Sequence, residues 1–252
     1  MSKIIVKNKM AIERMRIAGE LLARVMEEIA EHVVIGCSTY EIDRLFEQKM
    51  LERGLKPECK GYAGYKYATC ISLNDVVVHG IPSKEVILKS GDFVTIDVVG
   101  SYKKYCVDMA RCFFVGKVDP VAKKMAAVAQ QALDVAIDRI KPGCRLFDIS
   151  VAIQQTVENE GFSVVRSFAG HGIGRNMHEE PEIPNFRTQS KIDVILQEGM
   201  TLAIEPMIAQ GSYDVQVMAD GWTAKTVDGG FAAHVEDTVL VTKDGAEIFT
   251  RI

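Results

Sequence analysis

The sequence predicts an α+β fold: antiparallel strands form a sheet, helices pack on one side, and two similar halves share one core. Three observations predict it. Two stretches carry apolar residues at helical spacing, each leads into strand-like patterning, and a glycine-punctuated motif recurs in both.

From Met10 to Val33 the apolar residues fall at Met15, Ala18, Leu22, Val25, Ile29 and Val33, in the steps of three and four of an amphipathic helix. Ser38 and Glu41 have capping-box spacing for a second helix, which Gly54 is suited to end. Asp119 and Pro120 then read as the N-cap and first residue of a third helix, with Ala122, Met125, Ala129, Leu133, Ala136 and Ile140 as its apolar stripe. The motif GCSTYEI (36–42) returns as GCRLFDI (143–149). Gly36 and Gly143, Cys37 and Cys144, Ile42 and Ile149, and Gly54 and Gly161 all stand at the same offset of 107 (143 − 36). This register argues for an internal duplication, one half over about 10–118 and the other over 119–252, within a single domain spanning 1–252.

Strand patterning follows each helical part. Asp92–Gly100 and Val107–Gly116 flank a short polar turn, as in a hairpin. Met200–Ile208 and His234–Thr242 form the matching pair, with a longer excursion between them.

Composition sets the class. The chain has 252 residues, enough to bury roughly 70–75% of its unfolded surface. It is 48% hydrophobic and 25% charged, as in soluble globular proteins, and its net charge of −4 gives no bulk attraction for nucleic acid. No apolar run is long enough for a membrane helix, and the start, MSKIIVKNKM, is too weakly apolar for a signal peptide. A cytoplasmic location follows as an expectation, with the six cysteines as free thiols. No CxxC pair supports a zinc finger or a thioredoxin motif.

The strands carry acids where apolar residues belong. Asp97 interrupts VTIDVV and Glu205 interrupts LAIEPM; Asp108 and Glu236 sit in the two following strands. Buried carboxylates are costly unless paired or bound to a cation. Four of them converging between two related halves call for about four compensating charges, which two divalent metals carry. The stretch AGHGIGRNMHEEP (169–181) adds His171 as a nitrogen donor, with His178 close by. Two Asp, two Glu and one His suit manganese, iron or cobalt, with zinc also open, and do not suit a structural zinc site. His32 and His234 read as surface or structural, and Glu179 and Glu180 as a solvated pair.

Together, SLNDVVVHGIP (72–82), GDFVTIDV, YCVDMARCF, GHGIGRNMHEEP, EGMTLAIEPM and HVEDTVLVT resemble the type I methionine aminopeptidases over essentially the whole chain. The resemblance implies the pita-bread fold and two divalent metals. Asp97 and Asp108 would bind the first, with Asp108 bridging; His171 and Glu205 would complete the second, with Glu236 bridging. Glu205 would also carry a proton to the leaving amine. His178 would hydrogen-bond the scissile carbonyl, and His79 would contact the peptide nitrogen or carry a proton. Cys59, Tyr62, Tyr65, Cys70, His79, Met177, His178 and Trp222 would form the methionine pocket, where sulfur and aromatic groups suit a thioether. A monovalent cation is implied near Asn74.

The implied activity removes the initiator methionine from nascent polypeptides when the second residue is small, a rule that this chain's own Met1-Ser2 obeys. A monomer with transient ribosome contact, and neither stable nucleic-acid binding nor membrane association, completes the expectation. Two positions depart from the family pattern: Met177, usually aromatic, and Asp237, often His. Two alternatives stay open. One is a dinuclear peptidase cleaving before proline, against which the short N-terminus and the His79 motif count. The other is a non-catalytic binding protein of the same fold, which predicts no metal at the acid cluster.

Overall fold

The computed structural model describes residues 4–189 and 193–252. In the first half, α1 (Lys9–Ala30) and α2 (Thr39–Glu52) precede the short strands β1 (Lys56–Pro57), β2 (Cys70–Leu73) and β3 (Val76–Val78). The long hairpin β4 (Phe93–Tyr102) and β5 (Tyr105–Phe114) closes it. In the second half, α3 (Pro120–Asp138) and α4 (Leu146–Asn159) precede β6 (Ser163–Val164), β7 (Ala169–Gly172) and β8 (Glu179–Pro184). Then come β9 (Thr201–Ile204), β10 (Met207–Ala209), β11 (Val215–Val217), β12 (Ala224–Thr226), β13 (Ala232–His234), β14 (Glu236–Val241) and β15 (Ala246–Ile248).

The helices follow their sequence signals. The Asn8 side chain caps α1 by accepting from the Ala11 N–H, and Ser38 and Glu41 form the reciprocal capping box of α2. Asp119 accepts from the Val121 N–H ahead of Pro120. The apolar stripes continue beyond the helices: α1 ends at Ala30 and α3 at Asp138, yet Val33 and Ile140 are still buried. Met15, Leu22 and Ile29 of α1 are fully buried, each contributing about 1.5–3 kcal/mol. One apolar cluster joins α1 and α2 to β4 and β5; a second joins α3 and α4 to β9 and β14. This is the expected α+β arrangement.

The main sheet runs β1-β4-β5-β14-β9-β7-β8, with β2 also paired to β4 and β15 to β14. The strands on this path pair antiparallel, and the central contact is β5 with β14, one from each half. Asp97 and Glu236 both lie opposite Ala110, so one row across three strands carries an acid at each end.

Two strand expectations need correction. Met200–Ile208 is not one strand, because Pro206 has no N–H for the ladder and the chain breaks at Glu205-Pro206. Residues 201–204 stay in the main sheet, and residues 207–209 enter a second sheet of order β13-β10-β6. Likewise His234–Thr242 divides at Val235, with His234 ending β13 and Glu236 opening β14. Both chain segments therefore change sheets at the same place, with Met207 paired to His234. This crossing point is where the acids gather.

Asp237 lies behind that point and is fully buried. It accepts from Arg111 Nη2 at 2.6 Å, Thr250 Oγ1 at 2.7 Å and Arg251 Nε at 2.6 Å, while Arg111 Nη1 donates to the Glu236 carbonyl at 2.6 Å. The departure at this position thus tightens the strand that bears Glu236, and Asp237 does not line the cavity. Asp237→Ala is expected to cost about 1–3 kcal/mol in denaturant unfolding, since Arg111 and Arg251 lose a fully buried acceptor but keep their carbonyl and Asp134 partners.

Candidate active site

Strand alternation turns Asp97 and Val99 of β4 into a cavity of about 860 Å³. Asp108 from β5, His171 from β7, Glu205 after β9 and Glu236 from β14 share its wall. All five predicted metal ligands are thereby brought together. Two overlapping groups have donor atoms near enough to share a cation: Asp108, His171 and Glu236, and Glu205, His234 and Glu236.

The local sequence places each group. His171 lies between Gly170 and Gly172, where β7 is squeezed by its neighbours. A Cβ on Gly170 would stand 2.5 Å from the Ala203 carbonyl oxygen, and one on Gly172 only 2.1 Å from that of Glu180. Glycine is needed here for close backbone approach. The His171 Nδ1 lies 2.9 Å from the Gly172 carbonyl oxygen, which fits an N–H at Nδ1 and leaves the Nε2 lone pair for the acids. That Nε2 is 3.6 Å from Glu205 Oε1 and 3.8 Å from Asp108 Oδ2.

The electrostatics are those of a site built for cations. Asp108 Oδ1, Glu236 Oε1 and His234 Nε2 are buried without hydrogen-bond partners. Desolvation, followed by mutual repulsion with Asp97 and Glu205, pushes Asp108 well above the ordinary carboxylate range. Desolvation, then Asp108 and Glu205, does the same to Glu236. Asp97, half-buried, is raised chiefly by desolvation. Orphaned acceptors and acids held from ionising are costly in a native fold. The donor chemistry, carboxylate oxygens with imidazole, fits divalent transition metals.

The predicted substrate groups line the same cavity. Cys59, Cys70 and Tyr65 are buried, and Trp222 packs edge-on against Tyr65 with centroids 5.0 Å apart. His79 sits edge-on between Phe168 (5.5 Å) and Trp222 (6.2 Å), in the left-handed backbone region at φ 60°. That conformation is costly for a residue with a Cβ and persists only where the surroundings enforce it. Burial holds the His79 imidazole below its ordinary pKa. His178 is exposed toward the cavity, its Nδ1 3.1 Å from Tyr62 Oη and its ring 4.5 Å from that of His171. Desolvation and the neighbouring His171 hold it below its ordinary value. Met177 also lines the cavity.

Other groups depart from the sequence expectation. His234 is not on the surface: it is 2% exposed and lines the cavity. The sequence signal was its spacing, two residues before Glu236, which places both on one face of an extended segment. Phe168 and Ile5 also line the cavity without a sequence signal of their own. Asn74 does not line it; its side chain bonds Asp92 Oδ1 and the Phe93 N–H, both at 3.0 Å.

Glu179 is not a solvated acid. Its carboxylate accepts from Lys7 Nζ at 2.7 Å, and both side chains are 4% exposed. The other carboxylate oxygen accepts from the Asn176 N–H, so the pair clamps the turn carrying Met177 and His178. Lys7→Met is expected to leave Glu179 buried and unpaired, costing about 3 kcal/mol. Faster amide hydrogen exchange across residues 174–179 would report it.

The model of metallopeptidase family M24 matches residues 13–243. Methionine aminopeptidases of Escherichia coli K12 and Buchnera aphidicola (from Schizaphis graminum) are 43% and 42% identical, each comparison covering 98% of this chain and 94% of the relative. The crystal structure of methionine aminopeptidase from Thermotoga maritima superposes with a TM-score of 0.96 at 45% identity, covering 99% of this chain and all of that one. Prolidase from Pyrococcus furiosus, at 24% identity and a TM-score of 0.81, shares the pita-bread fold, with 66% of its length covered. The breadth of these matches, and a cavity that gathers the matching acids and histidine, leave one assignment: this chain is a member of metallopeptidase family M24.

Proposed function

We propose that the protein is a metal-dependent methionine aminopeptidase, a hydrolase that removes the N-terminal methionine of peptides and nascent polypeptides. The observation that carries this reading is the junction of an acid cluster with an apolar, sulfur- and aromatic-lined pocket in one cavity. The identity to methionine aminopeptidases along nearly the full chain supports the same activity.

Asp97, Asp108, His171, Glu205 and Glu236 are the residues to hold two divalent cations, manganese, iron(II), cobalt or zinc. When bound, such cations polarise the scissile carbonyl and acidify the attacking water toward neutrality. The chain's own groups do the rest. Cys59, Cys70, Tyr65 and Trp222 enclose the thioether side chain, with Tyr62 and Met177 at its edge. His178 donates to the carbonyl oxygen as negative charge grows there, a role that its Tyr62 contact orients. His79, kept neutral by burial, faces the peptide nitrogen and accepts or returns a proton. Glu205 carries the proton of the attacking water to the leaving amine.

Hydrolysis is confined to substrates whose second residue is small. The reading also places the enzyme in the cytoplasm as a monomer meeting nascent chains, with transient ribosome contact. A monovalent cation near Asn74 would be structural, because that residue stands outside the cavity. Among the described residues no helix is long and apolar enough to cross a membrane.

The test uses three peptides, Met-Ala-Ser, Met-Lys-Ser and Ala-Pro-Ser, after chelation and reconstitution with manganese, iron(II) or cobalt. Release of methionine from the first alone, abolished by chelator, is the expected result. Cleavage of Ala-Pro-Ser would assign a proline-directed peptidase. No cleavage and no bound metal would assign a binding protein.

A further inference from the structure

The proposed ligand set contains one imidazole, yet both His171 and His234 bring a ring nitrogen within 4 Å of its acids. We propose that His234 is a second imidazole ligand of the metal centre, so that each of two adjacent cation positions receives one ring nitrogen. The proposal rests on the metal-centre reading above and adds a donor to it.

Distances carry the argument. His234 Nε2 lies 3.5 Å from Glu205 Oε2 and 3.7 Å from Glu236 Oε2. Both exceed the 2.7–3.2 Å range typical of N–H···O hydrogen bonds. They match the roughly 3–4 Å that separates neighbouring donors around one cation with bonds of about 2.0–2.2 Å. His171 shows the same spacing, 3.6 Å to Glu205 Oε1 and 3.8 Å to Asp108 Oδ2. The Glu205 carboxylate therefore has an imidazole off each oxygen. The two candidate donor groups meet at Glu236, which belongs to both.

Burial points the same way. His234 is 2% exposed and its Nε2 has no hydrogen-bond partner. An unpartnered ring nitrogen enclosed by carboxylates is costly unless something occupies the space between them. The backbone holds the ring there. His234 pairs with Met207 across β10 and β13, and its carbonyl accepts from Cys112 Sγ at 3.3 Å. A spacing of two residues then sets His234 and Glu236 on the same face. Two imidazoles among oxygen donors also move the site's preference from manganese toward cobalt and zinc, which take nitrogen more readily.

The experiment is zinc X-ray absorption on the full chain loaded with two equivalents of zinc, for wild type, H234Q and H171Q. Wild type should show one imidazole per zinc on average, and each variant half that number. H234Q should also weaken one of two zinc-binding steps by at least 10–100-fold in titration calorimetry, a loss no smaller than that from removing an outer-shell partner. Circular dichroism and thermal melting of metal-free H234Q and H234N establish that the fold persists. Two zinc ions bound with half an imidazole each in wild type, and unchanged affinity in H234Q, would overturn the proposal and leave His234 as a positioning residue for Glu205. Failure of wild type to take up zinc would instead remove the metal-centre reading beneath it.

Discussion

Glu236→Gln is expected to abolish methionine release while making the metal-free protein more stable. Both effects come from one carboxylate. Glu236 belongs to both donor groups, so its loss weakens both cation positions at once. Outer-shell partners alone are worth 10–100-fold, so removing a shared ligand should lower kcat/KM by about 10³-fold or more. Measurement at saturating metal separates lost chemistry from lost affinity. Without metal the same group is a liability. It is 2% exposed, close to Asp108 and Glu205, and pushed well above its ordinary value of 4.5. A neutral amide of the same shape removes that repulsion, and the melting temperature of the metal-free variant at pH 7.5 should rise by several degrees.

The sign of the pH dependence follows. Asp108 and Glu236 have folded-state pKa values raised above 3.8 and 4.5, so the metal-free fold binds more protons than the unfolded chain. Their stabilising contribution is whole below those ordinary values and is lost as pH rises through the raised ones. Metal-free wild type should therefore lose stability as pH increases through that window, and Glu236→Gln should lose less. Metal binding reverses the balance, because cations select the ionised carboxylates and expel their protons. Calorimetric titration in buffers of different ionisation enthalpy should detect proton release on loading. Uptake of protons, or a slope unchanged by the substitution, would contradict this account.

What the sequence discloses here depends on how local the signal is. The capping residues of α2 and α3 and the apolar spacing of α1 act within a few positions of themselves, so these helices were legible almost to their ends. Asp97, Asp108, Glu205 and Glu236 stood out because an acid breaks an apolar strand pattern, whatever lies across from it. His234 carried no such contrast. Its place beside Glu205 emerges only once the chain changes sheets at Pro206 and Val235. Lys7 was further out of reach, since its partner Glu179 lies 172 residues away and neither residue signals burial. The departure at Asp237 likewise makes sense only with Arg111 and Arg251, contributed by β5 and the C-terminal end. Side chains that respond to distant segments are where pattern reading stops.

Gly172→Ala is the substitution expected to damage the fold most directly. The new Cβ would fall 2.1 Å from the Glu180 carbonyl oxygen and 2.6 Å from its carbonyl carbon, both backbone atoms that no rotamer can move. Relief requires β7 and β8 to part where their register already shifts, between His171 and Gly172. Strand separation there costs ladder bonds and core contacts together, and about 4 kcal/mol or more of stability should be lost. The damage to function should exceed what that instability explains. Gly172 supplies the carbonyl that orients His171 Nδ1, so moving it turns Nε2 away from Glu205 and Asp108. A misplacement of about 1 Å at a reacting centre can cost on the order of 10²-fold in rate. The folded fraction of the variant, assayed at low temperature with saturating metal, should therefore show at least that loss in kcat. Gly36→Ala is the contrasting substitution. A Cβ at Gly36 meets nothing within 4 Å, although its φ of 90° makes alanine strained there. It should reduce stability modestly and leave kcat unchanged. If Gly172→Ala instead behaved like Gly36→Ala, close approach of β8 would not be what holds His171 in place.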